Sequence, residues 1–297
     1  MQRSGNCSAQ TPPAASAVRW RLRGDTLDLG TPQIMAICNV TPDSFSDGGE
    51  HDSVALALQF AEQSQRAGAT ILDVGGESTR PGATPVGLTQ ELARVIPVIA
   101  AVRERVPTLL VSVDTVKSEV ARAALEAGAH IVNDVSAGRL DPAMFAVAAR
   151  YDAGLVLMHS RGGVADMATY AAAEYAEPPI ETVLVELAER VELACAAGVA
   201  RECLVVDPGL GFSKTPAQSL AVLRDLERLG ALGLPVLAGA SRKRFIGELT
   251  GVTEPSRRMV GSVVAHVLAV QRGARIVRTH DVAATRDGLA VAWAMYG

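Results

Sequence analysis

Short apolar runs alternate with longer amphipathic stretches along most of this chain. Each run has four or five residues, is rich in Val, Ile and Leu, and is bounded by turn residues, which is the pattern of a buried β-strand. The runs occupy residues 34–37, 70–74, 109–113, 130–133, 154–158, 203–207, 235–239 and 275–278. Strands that alternate with helices pair in parallel through helical crossovers, so the pattern predicts an α/β fold. Eight strand–helix units within 297 residues indicate a (β/α)8 barrel, or TIM barrel.

Local signals mark where the helices begin and end. Asp141-Pro142 and Thr215-Pro216 each place an N-cap residue before a proline at the first helical position. A glycine follows the helical stretch at four places, and glycine commonly ends helices. These glycines are Gly68, Gly128, Gly198 and Gly273. The rival fold, an open doubly wound sheet, carries a GxGxxG fingerprint after its first strand, and residues 39–50 contain none.

The N-terminal region differs from this rhythm. Residues 1–16 are polar, small and proline-containing, which predicts a disordered lead. Residues 18–29 alternate apolar and polar side chains around Gly24-Asp25, which predicts a short β-hairpin. No linker or second domain is visible after it, so residues 17–297 are interpreted as a single barrel domain.

Composition and charge exclude several classes of function. The formal net charge is −4 with both signs interspersed, whereas nucleic-acid-binding proteins usually show a basic patch. The chain has neither a signal-peptide pattern nor an apolar run of the roughly 18 residues that a membrane span needs. Its four cysteines form no CxxC pair and show no metal-ligand spacing. We therefore expect a soluble, cytoplasmic protein that binds neither nucleic acid nor membrane.

Polar residues follow the carboxyl ends of the predicted strands, and a barrel brings these ends together on one rim, where active sites form. The residues are Asn39, Asp73, Asp114, Asn133, Asp134, His159, Asp207, Lys243, Arg278 and His280. Each also has a purely structural interpretation. Asp114 could cap the next helix, Asn133-Asp134 could form a turn, and Lys243 could be a solvated charge. His159 and His280 could be structural, and the structural interpretation is preferred for His51, His130 and His266.

The composition of the rim indicates the chemistry of a ligand. Two carboxylates (Asp114 and Asp207), the Asn133 amide and the Lys243 ammonium match a flat heterocycle that has an amidine-like edge and a carbonyl. A second group, Asn39, Arg80, Arg278 and His280, favours an anion such as phosphate. Residues 39–52 and 75–88 are long Gly/Pro/Ser-rich loops of the kind that serve as lids. Ser241 and Thr115 have no obvious base, so we expect catalysis by positioning and electrostatics.

Eight motifs that follow one another in this order resemble those of dihydropteroate synthases. They are NVTPDSFSDGG (39–49), DVGGESTRPGA (73–83), SVDT (112–115), NDVS (133–136), LMH (157–159), DPGLGF (207–212), GASRKRFIG (239–247) and IVRTHDV (276–282). The resemblance implies a transferase of folate biosynthesis, the target of sulfonamides. It joins 6-hydroxymethyl-7,8-dihydropterin pyrophosphate to 4-aminobenzoate, and releases 7,8-dihydropteroate and pyrophosphate. It also implies that pyrophosphate departs before the amine attacks, and that the enzyme is a homodimer formed through helices near the C-terminus.

The resemblance also assigns roles residue by residue. The pterin ring is expected to bind Asp114, Asn133, Asp207 and Lys243, with Asp207 on its amidine edge. Asn39 is expected to bind Mg2+ with the pyrophosphate, and Arg278 and His280 to form the anion site. The aminobenzoate is expected to contact Thr79, Arg80, Pro81, Phe212 and Lys243, under a lid of Asp43, Ser44 and Phe45. Asp114, Lys243, Arg80 and Asp43 are the expected catalytic residues.

Some positions depart from the family pattern, and two other functions compete. Ser213 stands where many members have Gly, and Gln218-Ser219 where they have His-Asn, which leaves the start of the next helix uncertain. Residues 162–179 lack the usual Gly-x-Pro continuation, so no site residue is assigned there. The first rival function is a methyltetrahydrofolate-dependent methyltransferase, which shares a pterin pocket but needs neither a pyrophosphate site nor an aminobenzoate loop. The second is a non-catalytic pterin-binding paralogue, in which decayed loops are expected.

Overall fold

The computed structural model describes residues 18–40, 50–77, 86–176 and 178–296. Its strands are β1 (Arg19–Leu22), β2 (Asp25–Asp28), β3 (Gln33–Asn39), β4 (Ile71–Gly75), β5 (Leu110–Asp114), β6 (Ile131–Asp134), β7 (Gly154–Met158), β8 (Leu204–Asp207), β9 (Val236–Ala238) and β10 (Ala274–Thr279). Strands β3–β10 pair in parallel and close into a barrel, in which β10 lies between β9 and β3. The predicted (β/α)8 barrel is confirmed, and each predicted apolar run supplies one of its strands.

Helices follow the barrel strands and cover the outside of the barrel. They are α1 (Glu50–Ala67), α2 (Leu88–Arg105), α3 (Ser118–Glu126), α4 (Ala143–Tyr151), α5 (Pro179–Ala196), α6 (Pro216–Arg224), α7 (Arg244–Thr250), α8 (Met259–Gln271) and α9 (Val282–Tyr296). Their buried faces pack on outward-facing strand residues such as Val74, Val113 and Val206. Within the described residues, no helix combines the length and the apolar character that crossing a membrane requires.

The helix boundaries follow the signals in the sequence. Thr215 caps α6 through a reciprocal capping box with Gln218, so the departures from the family pattern at this point leave the start of the helix well defined. The α4 helix begins at Ala143, one residue later than predicted, because Pro142 lies in the preceding turn. The four glycines predicted to end helices all have positive φ, between 96° and 108°.

A hairpin closes the amino end of the barrel, as predicted. Its strands β1 and β2 pair antiparallel, and the turn consists of Arg23 and Gly24 because Asp25 already pairs with Leu22. Trp20 and Leu22 are fully buried against the barrel floor, and Trp20 Nε1 donates a hydrogen bond of 2.8 Å to the carbonyl oxygen of Cys203. The predicted disordered lead, residues 1–16, lies outside the described residues.

The inside of the barrel changes from apolar to polar along each strand. Side chains of a strand alternate between its two faces, so every second residue points inward. The lower inward layer is apolar and packs on the hairpin; it comprises Met35, Ile71, Leu110, Ile131, Val156, Val205, Leu237 and Ile276. Two residues further along, the same face carries Asp73, Ser112, Asn133, Asp207 and Arg278. The apolar floor and the polar site therefore belong to the same faces of the same strands.

The contact between the hairpin and the barrel gives a stability prediction. A Cβ atom added at Gly154 would overlap Leu22 Cδ2 and lie 3.0 Å from the Trp20 ring. We expect Gly154→Ala to lower the free energy of unfolding by about 1–3 kcal/mol, because overpacking forces the hairpin away from the floor. Urea unfolding measures this change.

The control is Gly230→Ala, since no atom lies within 4 Å of a Cβ added at Gly230. If Leu22 is the obstacle, the double variant Gly154→Ala/Leu22→Ala loses less stability than the sum of the two single variants. Wild-type stability in Gly154→Ala would show that the hairpin does not pack as described.

Candidate active site

A cavity of about 510 Å³ opens at the carboxyl ends of the barrel strands. The predicted site residues in its wall are Asn39, Asp114, Asn133, Asp207, Phe212, Lys243, Arg278 and His280. Glu77, Ser241, Arg244 and Arg258 also line it. The strand ends converge here because the barrel is closed. The sequence predicted this convergence from the polar residues that follow the strands.

Two carboxylates, the fully buried Asp73 and the largely buried Asp114, share the guanidinium of Arg278 at the cavity wall. Arg278 Nε donates to Asp73 Oδ2 and Arg278 Nη2 donates to Asp114 Oδ2, each at 2.6 Å. Asn133 Nδ2 donates to the same Asp73 oxygen at 2.9 Å. The second Asp73 oxygen, Oδ1, is buried and has no hydrogen-bond partner within the described structure. Asp73 therefore positions two other side chains of the site.

The pKa values of the carboxyl groups reflect their burial. Burial raises the pKa of Asp114 to about 7, although the Arg278 charge opposes the rise. Burial also raises the pKa of Asp207 to about 6, against the Gly209 N–H bond and the Lys243 charge. Burial lowers the pKa of Arg278, but the carboxylates of Asp73 and Asp114 outweigh it, and the net pKa is raised. Arg278 is therefore a permanent cation, and burial raises the pKa of the nearby Asp114 and Asp207 towards neutral pH.

Lys243 and Phe212 form the opposite wall of the cavity. The Lys243 ammonium lies 3.6 Å from the centre of the Phe212 ring, within the range of a cation–π interaction. Burial, assisted by the charge of Arg278, lowers the pKa of Lys243 to about 7. Both residues follow strand ends, Phe212 after β8 and Lys243 immediately before α7. This wall offers an aromatic face and a hydrogen-bond donor side by side.

Ser241 and His280 connect the ends of β9 and β10. Ser241 Oγ lies 2.9 Å from His280 Nδ1, and the hydroxyl also accepts a bond of 3.1 Å from the backbone N–H of His280. The expectation that Ser241 has no base nearby is therefore wrong, because the closed barrel brings β9 and β10 together. The same expectation is wrong for Thr115, whose hydroxyl donates to the Glu91 carboxylate at 2.6 Å, although this pair is buried outside the cavity wall.

Comparison with known proteins identifies the family. Residues 35–280 match the family model described as a pterin binding enzyme. The dihydropteroate synthase of Streptococcus pyogenes serotype M6 is 46% identical over 263 residues, which cover 88% of this chain and 95% of the relative. This chain belongs to the dihydropteroate synthase family. It is thus a transferase of folate biosynthesis that makes 7,8-dihydropteroate and pyrophosphate from dihydropterin pyrophosphate and 4-aminobenzoate.

Two solved structures of the Xanthomonas albilineans dihydropteroate synthase are similar to the fold described above. The complex with 4-aminobenzoic acid has a TM-score of 0.86 at 47% identity and covers 94% of this chain and 98% of its own. The complex with 7,8-dihydropteroate has a TM-score of 0.83 at 45% identity and covers 93% and 98%, respectively.

The structure decides between the alternatives left open for the rim residues of the synthase. Asp114 does not cap α3, because the backbone N–H of Ser118 is bonded by Asp141 instead. Asn133 faces the cavity, whereas Asp134, the last residue of β6, accepts bonds from Ser136 and Gly138 in the turn that follows. Lys243 lies in the cavity wall and is not a fully solvated charge.

Three histidines have structural partners. His130 Nδ1 accepts a bond of 3.0 Å from the backbone N–H of Val111, and His266 Nε2 accepts one of 3.3 Å from Ala240. His159 is buried behind the cavity wall, beside Lys214 and Glu186. The structural interpretation therefore suits all three. The side chain of His51 is outside the described part of the structure.

The predicted lid residues cannot be compared with the structure. Asp43, Ser44, Phe45, Thr79, Arg80 and Pro81 lie outside the described residues. Asn39 and Glu77, which lie near the starts of the two loops, both line the cavity. Both loops therefore start at its edge.

Sequence reasoning missed two parts of the site. The first is Asp73, for which the sequence predicts a position at a strand end but no binding or catalytic role. Its signal is a carboxylate inside an apolar strand, on the face that points inward. The second is a group behind the wall in which the buried Lys214 and His159 connect to the partly exposed Glu186, and its members come from three distant parts of the chain. No local pattern marks that group.

Proposed function

We propose that the cavity holds both substrates of the synthase and that its cluster of Asp114, Asn133, Asp207 and Lys243 binds the pterin ring. The observation that carries this assignment is the convergence of two carboxylates, an amide and an ammonium in one wall. Isolated buried charges are costly, and a ligand with complementary donors and acceptors removes that cost. The amidine edge of the pterin presents two parallel N–H groups that Asp207 accepts, and Lys243 donates to the carbonyl.

Phe212 and Lys243 are proposed to border the aminobenzoate. The Phe212 ring provides a flat apolar face for the benzene ring of the substrate. Arg80, Thr79 and Pro81 are proposed to complete this side from the second loop, and Asp43 to close over it from the first loop. Sulfonamides, which resemble 4-aminobenzoate, are proposed to compete for the same place.

The pyrophosphate is proposed to lie against Arg278 and His280, with Asn39 and Mg2+ beside it. Within the described ranges, no group of three or more His, Cys, Asp or Glu residues could hold a metal. Asn39 offers one amide oxygen at the cavity edge, near Gly75 and Asp114. A single protein oxygen suits Mg2+, which commonly keeps several waters and takes other ligands from substrate phosphates. When bound, the ion would neutralise charge on the leaving pyrophosphate.

Catalysis is proposed to rest on positioning and electrostatics, with pyrophosphate leaving before the amine attacks. The carboxylate of Asp114, which lines the cavity, is proposed to stabilise positive charge that develops on the pterin methylene, and Asp73 is proposed to support it through Arg278. Asp114 and Lys243, together with Arg80 and Asp43 of the loops, are the proposed catalytic residues. Ser241, paired with His280, holds the end of β9 against β10, and no covalent intermediate is assigned to it.

The raised pKa values predict a pH dependence of pterin binding. The N–H edge of the pterin needs ionised carboxylates, whose pKa values are about 7 for Asp114 and about 6 for Asp207. Affinity falls as pH drops through these two carboxyl transitions, by about tenfold per pH unit for each proton taken up. It also falls as pH rises above about 7, because Lys243, whose pKa is about 7, then loses the charge with which it binds the pterin carbonyl. We expect Asp207→Asn to weaken binding by about 1–3 kcal/mol and to remove the lower of the two transitions. Calorimetric titration with 6-hydroxymethylpterin across this pH range measures both effects.

Asp25→Asn is the matched control, because Asp25 is exposed in the hairpin at the opposite end of the barrel. That variant keeps the wild-type affinity and pH profile. Wild-type affinity in a folded Asp207→Asn variant would remove Asp207 from the pterin site.

The enzyme is proposed to be a homodimer that joins through α8 and α9. Val260, Val264 and Leu268 are spaced by one helical turn along α8 and are 70%, 52% and 37% exposed. On α9, Val291 and Met295 are 66% and 68% exposed. Neighbouring exposed apolar side chains of this size are typical of an interface.

A charge placed in this apolar face tests the dimer. We expect Val264→Glu to convert the dimer to a monomer, because a buried unpaired carboxylate is costly. Sedimentation velocity measures the change. The control is Val185→Glu on α5, where Val185 is 67% exposed outside this face, and it should remain dimeric. A dimeric Val264→Glu variant, or a monomeric wild type, would contradict the proposal.

The domain organisation and the cellular location of the enzyme are also proposed. Residues 17–297 are proposed to act as one catalytic domain. The protein is proposed to work in the cytoplasm, where reduced thiols persist. Cys38, Cys195 and Cys203 are free thiols in the described structure, and Cys38 and Cys203 are buried.

A further inference from the structure

A buried lysine lies behind the cavity wall, on the far side of the turn formed by residues 208–213. Lys214 is 1% exposed, and its ammonium lies 2.9 Å from His159 Nδ1. It also donates to the carbonyl oxygens of Gly209, at 3.2 Å, and Phe212, at 3.1 Å. Burying an ammonium group is costly in free energy unless hydrogen bonds compensate for the lost hydration. The three bonds of Lys214 supply this compensation, and they hold the three partner groups in place.

The partners of Lys214 continue to the protein surface. Because Lys214 donates to His159 Nδ1, the ring hydrogen lies on Nε2, which donates to Glu186 Oε2 at 2.9 Å. Burial and the charge of Lys214 lower the pKa of His159 to about 4, which keeps the ring neutral. The other Glu186 oxygen pairs with Arg161. Lys214, His159, Glu186 and Arg161 therefore form one connected group, termed here the lysine relay.

The two carbonyls that bind Lys214 are the two ends of a tight turn. The backbone N–H of Phe212 donates to the carbonyl oxygen of Gly209 at 3.0 Å, and Gly209 has a φ of 66°. A Cβ atom on Gly209 would overlap the carbonyl oxygen of His159, so the turn is packed directly on the end of β7. Only glycine fits this position, because both the φ and the close approach exclude a side chain.

The opposite side of the same turn forms the cavity wall. Gly209, Leu210, Gly211 and Phe212 all line the cavity. The turn thus carries the Phe212 ring on one side and is held by Lys214 on the other.

Ser213 provides a second anchor for the turn. It adopts a φ of 48°, which is unfavourable for a residue other than glycine. Its hydroxyl donates to the carbonyl oxygen of Arg161 at 2.8 Å and accepts from the backbone N–H of Arg161 at 2.9 Å. These bonds offset the strain and tie the turn to the segment after β7. Arg161 therefore joins the turn both through its backbone and through the lysine relay.

We propose that Lys214 is a positioning residue for the second substrate: through the lysine relay it fixes the turn 208–213 and thereby the Phe212 ring against which the aminobenzoate lies. The proposal rests on the proposed assignment of Phe212 to the aminobenzoate site. The backbone of Asp207 is held by the pairing of β8 with β7. The turn also contacts its carboxylate, because the backbone N–H of Gly209 donates to Asp207 Oδ1 at 2.7 Å. Loss of the relay should therefore affect the pterin site through this one bond and affect Phe212, which the turn carries, more strongly.

The test compares variants of Lys214 and Glu186 with a control on α5, the helix that carries Glu186. Lys214→Met keeps the length of the side chain but removes all its donors, and Glu186→Gln removes the charge at the other end of the relay. Glu189→Gln on α5 is the control, because Glu189 is exposed and lies outside the relay. The measurements are the KM for 4-aminobenzoate, kcat, the Kd for 6-hydroxymethylpterin, and the melting temperature.

We expect Lys214→Met to raise the KM for 4-aminobenzoate by about tenfold or more, as follows from losing hydrogen bonds of a charged donor. The pterin Kd should change by less than the KM does. Glu186→Gln should change the KM in the same direction by a smaller factor, and it serves as the test if Lys214→Met does not fold. Glu189→Gln should match the wild type in every measurement.

Two outcomes would overturn the proposal. One is an unchanged KM for 4-aminobenzoate in folded relay variants. The other is a pterin Kd that rises as much as the KM, which would indicate a general structural role. Phe212→Ala separates this failure from a failure of the proposed site. If Phe212→Ala leaves the KM for 4-aminobenzoate unchanged, Phe212 does not bind this substrate, and both the assignment and the positioning role are contradicted. If Phe212→Ala raises the KM and Lys214→Met does not, only the positioning role of Lys214 is contradicted.

Discussion

The site depends on one guanidinium that is shared by two buried carboxylates. Arg278 bonds Asp73 and Asp114 at the centre of the barrel, and Asp73 in turn orients Asn133. Removing either partner from such a group would leave a buried charge without compensation. The arrangement also sets the electrostatics, because Arg278 opposes the rise in the pKa of Asp114 that burial causes. The cavity is therefore a preorganised polar environment, and a ligand with matching groups enters it at little cost of reorganisation.

Much of the fold could be predicted because its signals are local and periodic. Short apolar runs such as 154–158 mark strands, and Thr215-Pro216 marks a helix start, without reference to distant residues. The location of the polar residues on one rim could be predicted from the fold, because closure of the barrel brings all the strand ends together. The inward direction of Asn133 also follows from strand alternation, although the sequence alone could not separate it from a turn residue such as Asp134.

The remaining features depend on contacts between distant parts of the chain. Asp73 becomes central only because closure of the barrel places Arg278 beside it, 205 positions later in the sequence. Ser241 gains His280 as a neighbour for the same reason. Lys214 would be interpreted as a surface charge from its local sequence, yet it is buried because β7, α5 and the turn 208–213 enclose it. Such residues are specified by tertiary packing, which no local pattern encodes.

This enzyme joins the pterin to the amine of 4-aminobenzoate and releases pyrophosphate. The most direct measurement supplies the purified protein with dihydropterin pyrophosphate and Mg2+, with and without 4-aminobenzoate, and follows both products. The account predicts pyrophosphate release that depends on the amine and matches the dihydropteroate formed. Binding of the pterin without release of pyrophosphate when the amine is present would contradict it.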